Sequence, residues 1–150
     1  MGEIQQMKAK VFLDTNILLD LFVSNRKSET AAFIMTAVKQ NMIEAFVTTQ
    51  SLLDAHYISH KSGVHYDDYV RLIKELRKYV NVGEIDMLDF DSAIEHYSGD
   101  LEDDAQYACA LDACCDFFIS NDKALLGRND ELTPMTVITP KEFVKKMLAD

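Results

Sequence analysis

The chain has 150 residues, 48% hydrophobic and 27% charged, the proportions of an ordinary soluble globule folded as a single domain over 1–150. No apolar run approaches the roughly 18 residues of a membrane-spanning helix, and the N-terminal MGEIQQMK lacks the apolar centre of a secretory leader. The net charge of −10 argues against gripping nucleic acid through a broad basic face; it leaves open an acidic site that meets phosphate through divalent cations, or a basic protein partner.

The first element is the apolar run Val11, Phe12, Leu13, which reads as a buried parallel strand. Asp14 follows it, and Thr15 and Asn16 open a helical pattern through Phe22. Ser24 and Asn25 mark a break, and Ser28 with Glu29 starts a second helix that runs to about Gln40. Ile43 to Thr48 reads as a second strand. A helix from Gln50 follows, ended by Gly63, and another spans Tyr66 to Val80. Val82 to Ile85 is a short strand and Asp91 to Tyr97 a short helix, stopped by Ser98-Gly99. The acidic run Asp100-Leu101-Glu102-Asp103-Asp104 leads into AQYACALDACC, whose small residues suit a helix packed closely on a sheet. Phe117 to Ile119 forms a fourth strand ending in Ser120-Asn121-Asp122. A polar loop with Pro134 leads to a fifth strand at Val137-Ile138, and Thr139-Pro140 opens a last helix, Lys141 to Leu148. Strands alternating with helices predict an α/β fold with a mainly parallel sheet of about five strands.

Three cysteines, Cys109, Cys114 and Cys115, form neither a disulfide framework nor CxxC metal spacing, which points to a reducing cytoplasm. Cys114-Cys115 reads most simply as core.

Two strands end in an acid, at Asp14 and at Asp122. In a parallel sheet both would project from the edge where open α/β folds bind ligands. Each acid also has a plain structural reading. Asp14 serves as a helix cap, Asp103 and Asp104 as an anionic first turn favoured by the helix dipole. Asp54, Asp100 and Glu102 read as solvent-facing polar residues. Taken together, several carboxylates converging on one crevice raise one another's pKa unless a cation neutralises them. All-oxygen ligands select a hard ion, Mg²⁺ or Mn²⁺. Carboxylate-held metal with room for phosphate oxygens is an arrangement that cleaves phosphodiesters.

The segments FLDTNILLDLF, GDLEDDAQYACALDACCDFFISND and VITPKEFVKKM, in that order, resemble the PIN domain family, the nuclease fold of VapC-type toxins. The resemblance covers about residues 9 to 148 and implies a three-layer α/β/α architecture. It implies a Mg²⁺- or Mn²⁺-dependent endoribonuclease, the toxin of a type II toxin–antitoxin pair, that cleaves RNA by metal-activated water. Its implied partners are RNA substrate, a cognate antitoxin and a second copy in a homodimer, with no membrane. Carried across by position, Asp14, Asp103 and Asp122 become the metal ligands and, with Asp54, the catalytic set. Thr15, Asn16, Ser120 and Asn121 become supporting residues, and Asp104 stands close enough to exchange roles with Asp103. The departure is at Asp54, where the family commonly has Glu; the shorter acid would reach metal through water. A catalytically silent PIN-like protein-binding module is the alternative.

Other templates fit less well. His56 and His60 have zinc-like i, i+4 spacing, but Tyr57 stands where a metalloprotease needs Glu. The run from Asp86 through Asp89 to Asp91 hints at calcium, yet lacks the Gly and the terminal Glu of a calcium loop, and reads as a solvated turn. A phosphorylated strand-end Asp with Lys123 nearby does not fit the three segments.

Overall fold

A computed structural model describes residues 8–23, 28–130 and 132–148. The break read at Ser24 and Asn25, and the N-terminal stretch tested for a leader, lie outside the described residues.

The chain alternates strand and helix around a five-stranded sheet. The strands are β1 (Lys10–Leu13), β2 (Glu44–Thr48), β3 (Val80–Gly83), β4 (Phe117–Ile119) and β5 (Thr136–Ile138). Their spatial order is β3-β2-β1-β4-β5, and every pairing is parallel. The order reverses direction at β1, so the crevice beyond the C-terminal ends of β1 and β4 is the topological switch point. Between the strands run α1 (Thr15–Phe22), α2 (Glu29–Lys39), α3 (Thr49–Lys61), α4 (Tyr66–Leu76), α5 (Met87–Glu95) and α6 (Leu101–Asp112). After β4 come α7 (Lys123–Leu126) and a 3₁₀ turn at Gly127–Asp130. α8 (Pro140–Phe143) then widens into a π-type turn over Val144–Leu148.

Side-chain alternation along β1 divides the core. Val11 and Leu13 face one side with Ile17, Leu18, Ala45, Val47 and Phe143. Phe12 faces the other with Phe118, Tyr107, Ala110 and Val137. Phe12 and Phe118 stack on neighbouring strands at 4.7 Å between ring centroids. With both faces of the sheet covered, its strands read as continuous apolar runs, and the result is the three-layer α/β/α arrangement.

Several expected boundaries move. The helix expected to reach Val80 ends at Leu76, because Val80 is taken by the sheet and pairs with Ala45. The strand expected from Val82 therefore starts two residues earlier. The helix expected from Asp91 starts at Met87, and the solvated turn read over Asp86 to Asp91 is instead its beginning. The Asp86 side chain accepts from the Asp89 N–H while the Asp89 carboxylate accepts from the Asp86 N–H, a reciprocal capping box. The polar loop after Asp122 contains α7, nucleated by the Asp122 carboxylate accepting from the N–H groups of Ala124 and Leu125. Cys115 is buried as core, but Cys114 is exposed, with φ of 59° in the left-handed turn that ends α6.

Candidate active site

Asp14 closes β1 and caps α1 at once. Its Oδ1 accepts from the Thr15 N–H at 2.7 Å, and its Oδ2 accepts from the Ser120 hydroxyl at 2.7 Å. Its own N–H is tied to the Ile119 carbonyl of β4. The Asp122 N–H in turn donates to Ser120 Oγ at 3.0 Å, so one serine joins the ends of the two central strands. The capping reading of Asp14 is therefore correct as far as it goes. The cap also holds the carboxylate at the switch point, only 7% exposed.

A crevice of about 340 Å³ opens there, lined by Asp14, Thr15, Asn16, Asp54, Tyr57, Ile58, Asp100, Glu102 and Asp103. Asp122 is not one of the lining residues, but it stands close enough for its charge to act on both Asp14 and Asp103. None of the lining residues carries a positive charge. The electrostatic consequences follow. Burial holds the Asp14 carboxyl above the ordinary value; its bonds from Ser120 and Thr15 oppose the shift, and the charges of Asp122 and Asp100 add to it. Asp103 is pushed up to about 7, first by burial and then by Asp14, Asp100, Asp122 and Asp104. Glu102 rises to about 8 because its carboxyl shares a hydrogen bond with Asp54, with burial and the neighbouring acids contributing. Such a set of oxygens, repelling one another around open space, suits a hard divalent ion and offers nothing to a soft one.

The expected residues do not all come together. Asp14, Asp54, Asp103, Thr15 and Asn16 line one crevice, and Ser120 and Asp122 border it. Asn121 is exposed on the turn between them. Asp104 points the other way. It is 1% exposed, and its Oδ1 accepts from Arg128 Nη2 at 2.8 Å and from the Ser98 hydroxyl at 2.5 Å. Its Oδ2 accepts from the Ser98 N–H. Arg128 also donates to the His96 carbonyl and lies over the Tyr107 ring. Asp104 thus anchors the first turn of α6 and, of the adjacent pair, leaves Asp103 to face the crevice.

Glu102 and Asp100, read as solvent-facing, both line the crevice. Asp100 accepts from the Asp103 N–H as the cap of α6, a signal available from its position three residues before Asp103. A buried polar tie was also missed. Gln106 on α6 accepts from Thr48 Oγ1 at 2.8 Å and donates to Ser51 Oγ at 2.9 Å, fixing α6 against the start of α3 and hence Asp103 against Asp54. His56 packs its ring against Tyr69 and Tyr66, as a structural histidine does.

A second acidic group lies at the far end of α6. One carboxylate oxygen from each of Asp86, Asp89 and Asp112 lies within 4.8 Å of the other two. Burial and the facing Asp112 push Asp89 up to about 7.

A sequence model of the PIN domain family matches residues 10–124. No curated protein matches the chain by sequence. Among solved structures, a chain of a toxin–antitoxin complex from Klebsiella pneumoniae superposes with a TM-score of 0.63 at 19% identity, covering 87% of this chain and 97% of that one. VapC20 of Mycobacterium tuberculosis, described as a Sarcin-Ricin loop cleaving toxin, gives 0.58 at 14% identity, covering 75% and 90%. VapBC2 from Rickettsia felis, bound to a DNA fragment from its promoter, gives 0.61 at 11%, covering 87% and 98%. At these identities the likeness is one of fold.

Proposed function

The chain belongs to the PIN domain family, and from that premise we propose that it is a divalent-metal-dependent endoribonuclease, the toxin of a toxin–antitoxin pair. The observation that carries this is the crevice at the switch point, where Asp14, Asp54 and Asp103 converge beside Asp122 without a cationic side chain among the lining residues. Asp14, Asp103 and Asp122 would hold Mg²⁺ or Mn²⁺, and Asp54 would contribute through water. A bound divalent ion supplies neutralisation of these carboxylates, acidification of a water for in-line attack on phosphorus, and relief of charge on the departing oxygen.

The protein's own part is positioning. Ser120 and the Thr15 N–H fix both oxygens of Asp14, and the Asp104–Arg128 pair fixes the turn from which Asp103 projects. Asp122 spends its Oδ1 on the start of α7, which sets the direction of its other oxygen. Thr15 and Asn16 line the mouth, where a phosphate oxygen or an ordered water can accept from them. Glu102 beside Asp54 supplies the longer carboxyl that the Asp in place of Glu gives up.

RNA is favoured over duplex DNA because an acidic crevice admits the splayed phosphates of single-stranded or loop RNA, and the M. tuberculosis protein of similar fold, described as a Sarcin-Ricin loop cleaving toxin, supports a loop substrate. The toxin–antitoxin and promoter-bound relatives support an antitoxin partner. A homodimer working in the cytoplasm completes the reading; no described helix is long and apolar enough to cross a membrane. The competing reading, a catalytically silent binding module, draws on Asp54, which accepts from Gln50 at 3.1 Å and pairs with Glu102.

The deciding experiment incubates a mixed RNA pool with wild type and Asp14→Asn in Mg²⁺, Mn²⁺ or EDTA. Metal-dependent cleavage that vanishes in the variant is the expected result. Absence of cleavage by pure wild type in every metal favours the silent module, and cleavage that survives both EDTA and the substitution places the chemistry elsewhere.

A further inference from the structure

Asp89 is 2% exposed, and its Oδ1 is a buried oxygen that meets no hydrogen-bond donor. Its other oxygen is occupied by the Asp86 N–H, and the Asp86 Oδ1 by the Asp89 N–H. The capping box therefore locks two carboxylates side by side at the start of α5. The side chain within hydrogen-bonding reach of Asp89 is a third carboxylate, Asp112, which brings no donor of its own when ionised. Asp112 is the last residue of α6, where the helix dipole already disfavours an anion, and that last turn carries no basic residue. Three acids thus meet where α5 begins and α6 ends, one of them at a helix end of the wrong sign, around a buried oxygen that meets no donor. The missing partner has to be positive.

The geometry points to a second cation site at the α5–α6 junction, in which Asp86, Asp89 and Asp112 hold a hard divalent ion of the calcium type. The three oxygens lie within 4.8 Å of one another, and their irregular disposition suits an ion that takes oxygen ligands at about 2.3–2.6 Å in flexible geometry better than Mg²⁺, which demands near-ideal octahedral geometry at about 2.0–2.1 Å and keeps most of its waters. Asp86 and Asp112 are exposed, so water completes the shell from the open side. The site differs from a calcium loop, which takes its ligands from one continuous segment; here a capping box and a residue from the next helix supply them. It also stands apart from the crevice. Asp112 lies nine residues beyond Asp103, about 14 Å along a helix with a rise of about 1.5 Å per residue. The ion would staple α5 to the end of α6, and its binding does not depend on the nuclease reading.

The test titrates CaCl₂ calorimetrically into the chelator-treated full chain carrying Asp103→Asn, so that the crevice is already impaired. One saturable site is expected, with affinity in the range of about 0.1–1 mM found for modest calcium sites. Adding Asp112→Asn should weaken it at least about 10-fold, as loss of one ligand charge does. Asp86→Asn, which keeps a capping side chain, should do the same, and circular dichroism checks that each variant is folded. No saturable heat up to about 10 mM, beyond the weakest of such sites, would mean that a shared proton alone joins Asp89 and Asp112, and the proposal fails. It fails equally if binding is seen but neither substitution changes it.

Discussion

Asp103 and Asp104 are neighbours in the chain and opposite in circumstance. Asp104 sits in a buried niche, bonded to Ser98 and to Arg128, whose guanidinium lies over the Tyr107 ring. Asp103 looks into a crevice where the charges around it are negative and its carboxyl is pushed up to about 7. In the niche the protein supplies its own cation and the acid is structural. In the crevice it supplies none, so the acids store repulsion that a ligand can relieve. Burial alone does not separate the two kinds of acid, since Asp14 is nearly as enclosed as Asp104. The presence or absence of a built-in positive partner does.

The largest effects should come from exchanging those circumstances. Asp103→Asn is expected to lower metal-dependent RNA cleavage more than about 100-fold, beyond what loss of an outer-sphere partner of a metal site causes, while leaving the thermal midpoint unchanged or higher. Asp104→Asn should do the reverse to the fold. It removes the carboxylate from the buried Asp104–Arg128 pair, at a cost of about 3–5 kcal/mol, or about 6–20 °C in a domain of this size. Thermal melts and a cleavage assay on both variants check the contrast. If Asp103→Asn melts early and Asp104→Asn does not, the two regions have been assigned the wrong way round.

The features that position the site were unequally legible. β1, β4 and their terminal acids could be read because each depends on a few consecutive residues: an apolar run, then a cap. The same holds for Ser28 and Thr139, which cap α2 and α8 as their sequence context suggests. Val80 misled because it stands four residues after Leu76, a helical spacing that the sheet overrides. The partner of Asp104 was not readable at all. Arg128 lies 24 residues away, in a segment without apolar period, and only the packing of the 3₁₀ turn against α6 brings it there. Glu102 shows the same limit. Which side of α6 faces α3 is decided by the buried Gln106 tie, so a residue that sequence assigns to solvent ends at the crevice.

A smaller effect separates the crevice from the niche by pH. Asp103, Glu102 and Asp89 all titrate above their ordinary values, at about 7, about 8 and about 7. A carboxyl whose pKa is higher in the folded state holds its proton better there. Metal-free protein should therefore lose stability as pH rises from about 4, near the ordinary carboxylate value, to about 8, and change little beyond. Added Mg²⁺ should raise the thermal midpoint more at pH 8 than at pH 5.5, because at the lower pH protons already relieve the repulsion. Asp103→Asn should flatten part of the metal-free slope, and Asp112→Asn another part. Melting the metal-free chain across this range tests the sign, and a midpoint that climbs steadily from pH 4 to 8 would contradict it.

The smallest expected effect concerns the tie between the crevice and the body of the fold. Thr48, Ser51 and Gln106 are all buried, and Gln106 bonds to both of the others. Gln106→Leu keeps the volume but removes both bonds. Thr48 and Ser51 can still satisfy each other, being 3.2 Å apart, so the loss should be about 1–3 kcal/mol rather than that of a stranded charge. The functional cost follows from the place of this tie one turn beyond Asp103. If it sets where Asp103 stands relative to Asp54, cleavage should fall by about 10-fold, the order expected for a residue that orients a metal ligand without touching the metal. The concentration of Mg²⁺ needed for half-maximal cleavage should rise with it. A purely structural role predicts a lower melting midpoint with that concentration unchanged, and the two measurements on one variant distinguish them.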